Sequence, residues 1–438
     1  MLQYLFLCKK TFFCIKKENI ATTILEQLFR NNKERYSFNM KHRLSKQFIT
    51  ILIFLSLIIS HLLSGRAEEF KFMKEKMEKS HKNFFNTISK EECEKVYERL
   101  SSGIDDISYT DYYFTLSSYL ALSNDSHTSL EANDIYSYFL YYPLQLNYIG
   151  DKVYVVSGLK DYRDCIGKEI TAINGVSIKE IEEKASYVVP HDNTVYLRLW
   201  LNNQLNNTSF LSFINVAESD KDPVTLTFSD GKKLSISPTL SQDIDRSNLI
   251  SAFSSYSPYI YQGYYRAIEI KDDVLLISYN TCSDNPSYPM KNFTSDLKKA
   301  LSKKKYSKII VDLRYNGGGN SAVLDPLIKL LKKEKCEKYA LIGENTFSSA
   351  ILNAVSLKDD ANFTLVGTPT GGSINHYGEL KSFTLPETGW KVYYSSKFFK
   401  LSRKYNGSII PDVYIGKDAY SYFSGIDKEV EYCLGNDL

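Results

Sequence analysis

The chain has 438 residues, of which 43% are hydrophobic and 24% charged, so it can form two or three domains and is too apolar for extensive disorder. Its formal net charge is only +3, and its lysines are spread through predicted helices rather than gathered in a stripe, which argues against nucleic acid as a partner. The seven cysteines form no CxxC pair and predict neither a disulfide framework nor a zinc site.

Residues 1–67 predict an N-terminal extension followed by an export signal. A basic stretch after Met40 leads into an apolar run at 48–63, and Gly65 and Ala67 stand at the small-residue positions of a cleavage site. Met40 is therefore the expected start. An uncleaved anchor at 48–63 is the alternative, although the run is short for a full span. With either outcome the basic flank stays in the cytoplasm and the rest of the chain is exported, to the periplasm, the cell surface or the medium.

Residues 68–140 predict a helical segment. Apolar residues within 70–101 recur at the spacing of one helical face, and a second helix is expected from 110 to about 122. The polar loop 123–128 follows and carries His127. By itself, a histidine in such a loop is usually just solvated.

Residues 141–240 predict a small β-rich module. Short runs such as 153–156 and 224–228 alternate with turns and favour strands, and a helix is expected at 178–187. The run SDGK at 229–232 is typical of a hairpin turn.

Residues 241–438 predict an α/β core with a mostly parallel sheet. Strands are expected at 274–278, 308–312, 339–342 and 363–366, and helices at 293–302, 322–332 and 348–355. In such a sheet, reactive groups collect beyond the carboxyl ends of the strands.

Two motifs lie at those strand ends. The run VDLRYNGGGN at 311–320 lets backbone amides approach a ligand, because glycine has no side chain. The run GENTFSSA at 343–350 opens a helix with Ser348, whose hydroxyl would lie near the unpaired amides of the helix N-terminus. Together they predict a nucleophile and an oxyanion pocket. The alternatives are a serine that only caps the helix, and glycines that bind phosphate or turn the chain.

Over roughly residues 110–430 the chain resembles the tail-specific, or C-terminal-processing, serine peptidases and their tricorn-type relatives. The resemblance rests on five motifs: DSHT at 125–128, VDLRYNGGG at 311–319, TFSSA at 346–350, VGTPTGG at 366–372 and IPDV at 410–413. It implies a crotonase/ClpP-like parallel-sheet core with an inserted PDZ-like module. It also implies an endopeptidase that cleaves peptides or unfolded protein tails through an acyl-enzyme, without a metal or other cofactor. A membrane would be contacted only through 48–63, if that run is uncleaved.

By this resemblance Ser348 is the nucleophile, and the amides of Ser349 and Gly318 form the oxyanion hole. The family takes its general base either from a lysine after the Gly-x-Pro-Thr loop or from the histidine of the Asp-x-His-Thr loop. Ser373 stands where the lysine would be expected. The resemblance therefore implies His127 as the base.

In the tricorn type, the serine before the base orients its imidazole, and Ser126 occupies that position. His376 is the rival base or a substrate contact. Glu379 and Asp412 are weak candidates for the acid of the relay, and Asp412 is expected to tie down the last strand instead.

Two alternatives remain open on sequence grounds. The run 148–151 is either a carboxylate-binding loop of the PDZ-like module, which would bind a substrate tail by strand addition, or an ordinary hairpin turn. The chain as a whole could also be a catalytically inactive member of the same fold that binds a peptide or a small ligand.

Overall fold

The computed structural model describes residues 65–252, 257–271 and 273–436. The apolar run at 48–63 and the expected start at Met40 lie outside the described residues. The cleavage point predicted after Ala67 falls in the first turn of helix α1 (Arg66–Ser80). Among the described residues, the structure contains no helix long and apolar enough to cross a membrane.

Three helices open this part of the chain: α1, α2 (Lys90–Ser101) and α3 (Tyr109–Ala121). The stretch predicted as helical over 70–101 is thus two helices. The second begins with a capping box, in which the Ser89 hydroxyl accepts a hydrogen bond from the Glu92 amide and the Glu92 carboxylate accepts one from the Ser89 amide. Helix α3 agrees with its predicted range to within one residue at each end.

The β-rich segment that follows contains strands and short helices. In chain order they are β1 (Ser129–Glu131), β2 (Leu140–Tyr141), β3 (Leu144–Ile149), β4 (Lys152–Leu159), β5 (Glu169–Ile173), β6 (Val176–Ser177), α4 (Ile178–Ala185), α5 (Thr194–Leu201), α6 (Thr208–Phe213), β7 (Val224–Phe228), β8 (Lys233–Ile236), β9 (Thr239–Leu240) and β10 (Leu249–Ser251). Strands β3 to β8 and β10 form one antiparallel sheet in the order β10-β4-β5-β7-β8, with β3 beside β4 and β6 beside β5.

The run 148–151 forms a hairpin turn in this sheet. Ile149 of β3 pairs with Lys152 of β4, which leaves Gly150 and Asp151 as the turn residues. Gly150 has φ +63°, a value that suits glycine in a tight hairpin. The hairpin interpretation of this run is confirmed.

The remaining elements belong to the α/β part of the chain. They are β11 (Tyr265–Lys271), β12 (Val274–Tyr279), α7 (Met290–Lys303), β13 (Lys308–Asp312), α8 (Asp325–Leu331), β14 (Glu337–Ile342), α9 (Ser349–Ala361), β15 (Thr364–Gly367), β16 (Asn375–Thr384), β17 (Lys391–Lys400), β18 (Val413–Tyr414), α10 (Ala419–Ser424) and α11 (Lys428–Leu434).

A six-stranded sheet organises this part, in the order β11-β12-β13-β14-β15-β18. Strands β12 to β18 of this sheet run parallel, and β11 is an antiparallel edge strand. The α/β class with a mostly parallel sheet is therefore confirmed. Adjacent strands β13 and β14 are the two that lead into the glycine run and the serine segment.

Helices cover both faces of this sheet. Along β12, Leu275 and Ile277 join an apolar cluster with residues of α7, α8 and α9, whereas Val274 and Leu276 join another with residues of α11. This alternation is what a strand buried on both faces requires.

A separate three-stranded antiparallel sheet, β1-β17-β16, was not expected from the sequence. Its long hairpin β16–β17 pairs with β1, the strand directly after the DSHT loop. Leu385, Trp390 and Val392 of this hairpin join an apolar cluster that also contains residues of α1 to α3 and of the β-rich segment. The hairpin thus connects the histidine loop to the α/β part.

Candidate active site

The serine segment and the glycine run meet at the carboxyl ends of β14 and β13. A Cβ placed on Gly318 would lie 2.7 Å from Ser348 Cβ, closer than real Cβ atoms come to another atom, and 3.0 Å from the Ser349 amide nitrogen, which is tighter than most Cβ contacts. Gly318 also has φ +106°, which a residue with a side chain rarely adopts. The close approach of the two motifs therefore depends on a glycine at 318.

Ser348 has a backbone conformation that is costly for a residue with a side chain. Its φ is 54° and its ψ is −125°. It lies immediately before α9, and its side chain makes no capping hydrogen bond. Such strain costs on the order of 1–3 kcal/mol and is typical of functional positions. A strained turn between a strand and a helix also exposes the nucleophilic serine of α/β-hydrolases. The simple N-cap interpretation of Ser348 is wrong, because its hydroxyl caps no amide.

The two amides predicted to form the oxyanion hole differ in their hydrogen bonds. Ser349 is the first residue of α9, so its amide has no partner within the helix. The Gly318 amide instead donates to Asn316 Oδ1 at 2.9 Å, while the Gly318 carbonyl accepts from the Cys282 amide at 2.9 Å. The glycine run is therefore fixed by backbone and side-chain hydrogen bonds, and one of its amides is engaged.

A fully buried carboxylate organises the histidine loop. Asp125 accepts from the His127 amide at 2.9 Å, from Thr128 Oγ1 at 2.8 Å and from His81 Nε2 at 3.0 Å. His81 Nδ1 accepts from the Asn83 amide, so the proton of this ring is on Nε2. Burial opposes ionisation of Asp125, but its hydrogen bond from His81 and the neighbouring His127 outweigh burial and lower its pKa. Sequence reasoning missed His81, which no motif marks.

Five rings stack in a row that includes Phe347, the residue before Ser348. The His127 ring lies between Phe347, at 4.4 Å between centroids, and His376, at 5.4 Å. Tyr196 of α5 stacks on the outer face of Phe347, and Phe399 of β17 stacks on His376. Phe347 immediately precedes the serine, so both candidate bases lie in one column next to it.

The two imidazoles differ in their hydrogen bonds. Neither ring nitrogen of His127 has a hydrogen-bond partner, and its Nδ1 lies 3.8 Å from Asp125 Oδ1. His376 donates from Nδ1 to the Ser373 carbonyl at 2.8 Å. Burial lowers the pKa of both rings; Asp125 partly offsets the effect at His127, and the neighbouring His127 adds to it at His376. Both rings are therefore biased toward the neutral form that a general base requires.

Ser126 does not bond to His127. Its hydroxyl donates to Asp192 Oδ1 at 2.7 Å, and the Asp192 amide donates back to the Ser126 oxygen at 3.0 Å. The expectation that Ser126 orients the imidazole directly is thus not met in this structure. Ser373, which occupies the expected lysine position, donates to the same carboxylate oxygen at 3.0 Å. Burial raises the pKa of Asp192, against the effect of these two hydrogen bonds.

The two weak acid candidates lie elsewhere. Glu379 is exposed on β16 and pairs with Lys397 at 3.6 Å. Asp412 accepts from the Leu365 amide at 3.0 Å and pairs with Lys358, so it fastens the C-terminal part of the chain to β15. Neither carboxylate bonds to His127 or His376. Their candidacy as the acid is not supported, because Asp125 and Asp192 occupy the positions around the imidazoles.

The charged residues of the VDLRYNGGG motif have a structural role. Arg314 is buried and bonds Asp312 through Nε and Nη2, Asp427 through Nη1 and Nη2, and Glu429 through Nη1. It borders a cavity of about 150 Å³ that Gly343, Glu344 and Asn345 also line. Within the described residues no group of three His, Cys, Asp or Glu side chains is arranged to hold a metal ion.

No family model and no curated protein matches the chain. Mature CPAF complexed with lactacystin matches with a TM-score of 0.55 and 13% identity, over 85% of this chain and 97% of that chain. Mature CPAF alone matches with a TM-score of 0.54 and 13% identity, over 84% and 95%.

The photosystem II D1 C-terminal processing protease also matches, with a TM-score of 0.40 and 12% identity, over 81% of this chain and 94% of that chain. At 13% identity, the likeness to CPAF shows a shared fold. The chain therefore has the fold of mature CPAF, and the resemblance to the tail-specific, C-terminal-processing peptidases predicted from its motifs is confirmed at the level of the fold.

Proposed function

We propose that the chain is a serine endopeptidase of the tail-specific type, which cleaves peptides or unfolded protein tails outside the cytoplasm. The observation that carries this proposal is the strained Ser348 at the start of α9, with Gly318 packed against it and a column containing two imidazoles beside it. The fold shared with CPAF and the order of the five motifs support the same conclusion.

The chemistry follows from these positions. Ser348 Oγ attacks the scissile carbonyl carbon while His127 takes the hydroxyl proton, and the resulting oxyanion accepts a hydrogen bond from the Ser349 amide. The Gly318 amide, bound to Asn316 in this conformation, is the second donor. The imidazolium then protonates the leaving amine, and water activated by the same ring hydrolyses the ester on Ser348.

His127 is the preferred base because a carboxylate lies beside it. Asp125 Oδ1, at 3.8 Å from His127 Nδ1, would stabilise the imidazolium that forms when the serine proton is transferred. His376, in contrast, is fixed through Nδ1 to a neutral carbonyl. We assign His376 to packing against the base and to contact with substrate.

The architecture proposed for this function has three parts after the export signal. Residues 68–140 carry the base, 141–240 form a PDZ-like module that binds the substrate tail by strand addition, and 241–438 form a crotonase/ClpP-like core. Peptides or unfolded polypeptides are the proposed substrates, and the mechanism needs no metal or organic cofactor.

An inactive binding protein of the same fold is the second candidate. Two observations favour it: neither His127 nitrogen is hydrogen-bonded to Ser348, and the Gly318 amide is occupied by Asn316. Hydrogen bonds of catalytic groups are often long in unliganded sites and shorten when substrate binds, which is why we prefer the enzyme.

A fluorophosphonate probe, which labels activated serines, separates the two candidates. We expect labelling of the wild type, loss of labelling in Ser348→Ala, and retained labelling in Ser349→Ala, because alanine keeps the amide at 349. A folded wild-type protein that the probe does not label would contradict the enzyme and leave the binding protein.

A further inference from the structure

The β-rich module reaches into the candidate active site through one short segment between α4 and α5. Asp192 and Asn193, called here the bridging pair, lie in this segment. Asn193 also accepts from the Tyr196 amide and so caps α5, the helix whose Tyr196 ends the column of rings. The segment is therefore fixed at the point where it meets the site.

The bridging pair holds two loops that are far apart in sequence. One is the base loop (125–128), where Ser126 bonds to the Asp192 carboxylate and amide. The other, called here the loop 371–376, includes the first two residues of β16; in it the Gly371 carbonyl accepts from Asn193 Nδ2 at 2.8 Å, and Ser373 Oγ donates to Asp192 Oδ1 at 3.0 Å. The first loop carries His127 and the second carries His376.

We propose that Asp192 and Asn193 are positioning residues of the active site, which set the spacing of the two imidazoles by joining the base loop to the loop 371–376. This inference rests on the proposed peptidase function. It makes the inserted module a structural part of the catalytic centre, in addition to any role in binding substrate tails.

The identity of residue 373 fits this role. A lysine there would place an amine beside the Asp192 carboxylate and pair with it. Ser373 instead offers a hydroxyl, which donates to Asp192 and accepts from Asn193 Nδ2 at 3.1 Å. The position expected for a lysine base is thus occupied by a residue that contacts both members of the bridging pair, which leaves the two imidazoles as the candidate bases.

The bridging pair also affects the positions of the two imidazole rings. Ser373 contacts both partners: its hydroxyl donates to Asp192, and its carbonyl accepts from His376 Nδ1. Asp192 therefore holds the residue that fixes the His376 imidazole. On the other side, Ser126 directly precedes His127. Because the two rings stack with an interplanar angle of 14°, a shift of either loop would change the position of the base.

The main test compares Asp192→Ala with Asp192→Asn in the exported chain, using hydrolysis of an unfolded protein substrate. A misplaced base lowers kcat, so we expect Asp192→Ala to lose about 10- to 100-fold in kcat with KM changed less than about twofold. Asp192→Asn retains an Oδ1 that can accept from both serines, and we expect it to recover most of the lost kcat. Asp230→Ala, in an exposed turn of the same module, is the matched control and should match the wild type.

A second measurement does not depend on activity. Amide hydrogen exchange in Asp192→Ala should rise in both 125–128 and 371–376, while the sheet strands keep their protection. Asn193→Ala should raise exchange mainly in 371–376. This variant replaces Asp192→Ala in the test if Asp192→Ala does not fold.

Two results would overturn the inference: wild-type kcat in Asp192→Ala, or exchange that rises in neither loop or uniformly across the protein. A wild type that neither hydrolyses substrate nor reacts with the fluorophosphonate would contradict the proposed peptidase, and the exchange measurement would still decide whether the bridge exists.

Discussion

The two sides of the candidate site are held in place by different kinds of interaction. On the nucleophile side, the backbone sets the geometry: Ser348 adopts a strained turn, and Gly318 approaches it because it has no side chain. On the histidine side, side chains set the geometry: rings stack on one another, and Asp125 and Asp192 accept hydrogen bonds from several elements. On the nucleophile side, we therefore expect activity to be lost when a substitution does not fit the backbone. On the histidine side, we expect the loss of activity to depend on which side-chain contact is removed.

The largest expected effect separates the two imidazoles. Removing a general base typically costs 10²- to 10⁴-fold, so we expect His127→Ala to lower kcat/KM by about 10³-fold. His376→Ala, which removes a stacking partner, should cost about tenfold. Steady-state hydrolysis of a peptide substrate measures both. The reverse ranking would make His376 the base.

The next effect tests the backbone side with a matched pair of glycines. Gly318→Ala should lower kcat by about 10²-fold or more, because the new Cβ would displace Ser348 and the Ser349 amide. Gly317→Ala meets no atom within 4 Å and should leave kcat within about twofold. Equal activity of the two variants would show that the Gly318–Ser348 contact is not required for turnover.

A smaller effect concerns pH. The pKa of His127 is lowered by burial, so the ring stays neutral below the usual value of 6.5. We expect the acidic limb of the kcat/KM profile below pH 6.5, with activity falling as the pH drops through the lowered pKa. In Asp125→Asn the carboxylate that favours the imidazolium is lost, so the limb should move to still lower pH. A limb that moves upward would contradict the assignment of Asp125.

The smallest effect lies at the outer end of the ring column. Tyr196→Leu keeps an apolar side chain but loses the stacking on Phe347, which is worth about 1 kcal/mol. We expect the free energy of unfolding to fall by about that amount and kcat to fall about threefold. Tyr187→Leu removes a tyrosine that is 78% exposed and should change neither quantity. Urea unfolding followed by fluorescence distinguishes the two variants.

The contrast between the two sides explains what the sequence could predict. Strand β13 coincides with its predicted range, and the serine and glycine segments lie where the βαβ pattern puts them, because short-range signals determine a strand-to-helix turn. Asp192 could not be found in the same way. Its partner Ser373 lies 181 residues away, in another part of the fold, and only packing brings them together.

The unexpected hairpin β16–β17 has a similar explanation. Its strands are largely polar and partly exposed, so they lack the apolar alternation that marks a half-buried strand. His81 likewise lies between two helices, with no motif around it, and it becomes recognisable only through its contact with Asp125. A chain of buried polar contacts leaves little trace in a single sequence.

The buried Arg314 has a consequence for synthesis of the protein. Arg314 lies two residues after the end of β13 and bonds Asp312 of that strand, but Asp427, which accepts two more of its hydrogen bonds, is made 113 residues later. Breaking part of a buried charge network is strongly unfavourable, so the buried position of Arg314 becomes favourable only once Asp427 and Glu429, at the start of α11, have been made. The proposed active site, which includes Gly318 shortly after Arg314, would then be completed only after almost all of the described chain has been translated.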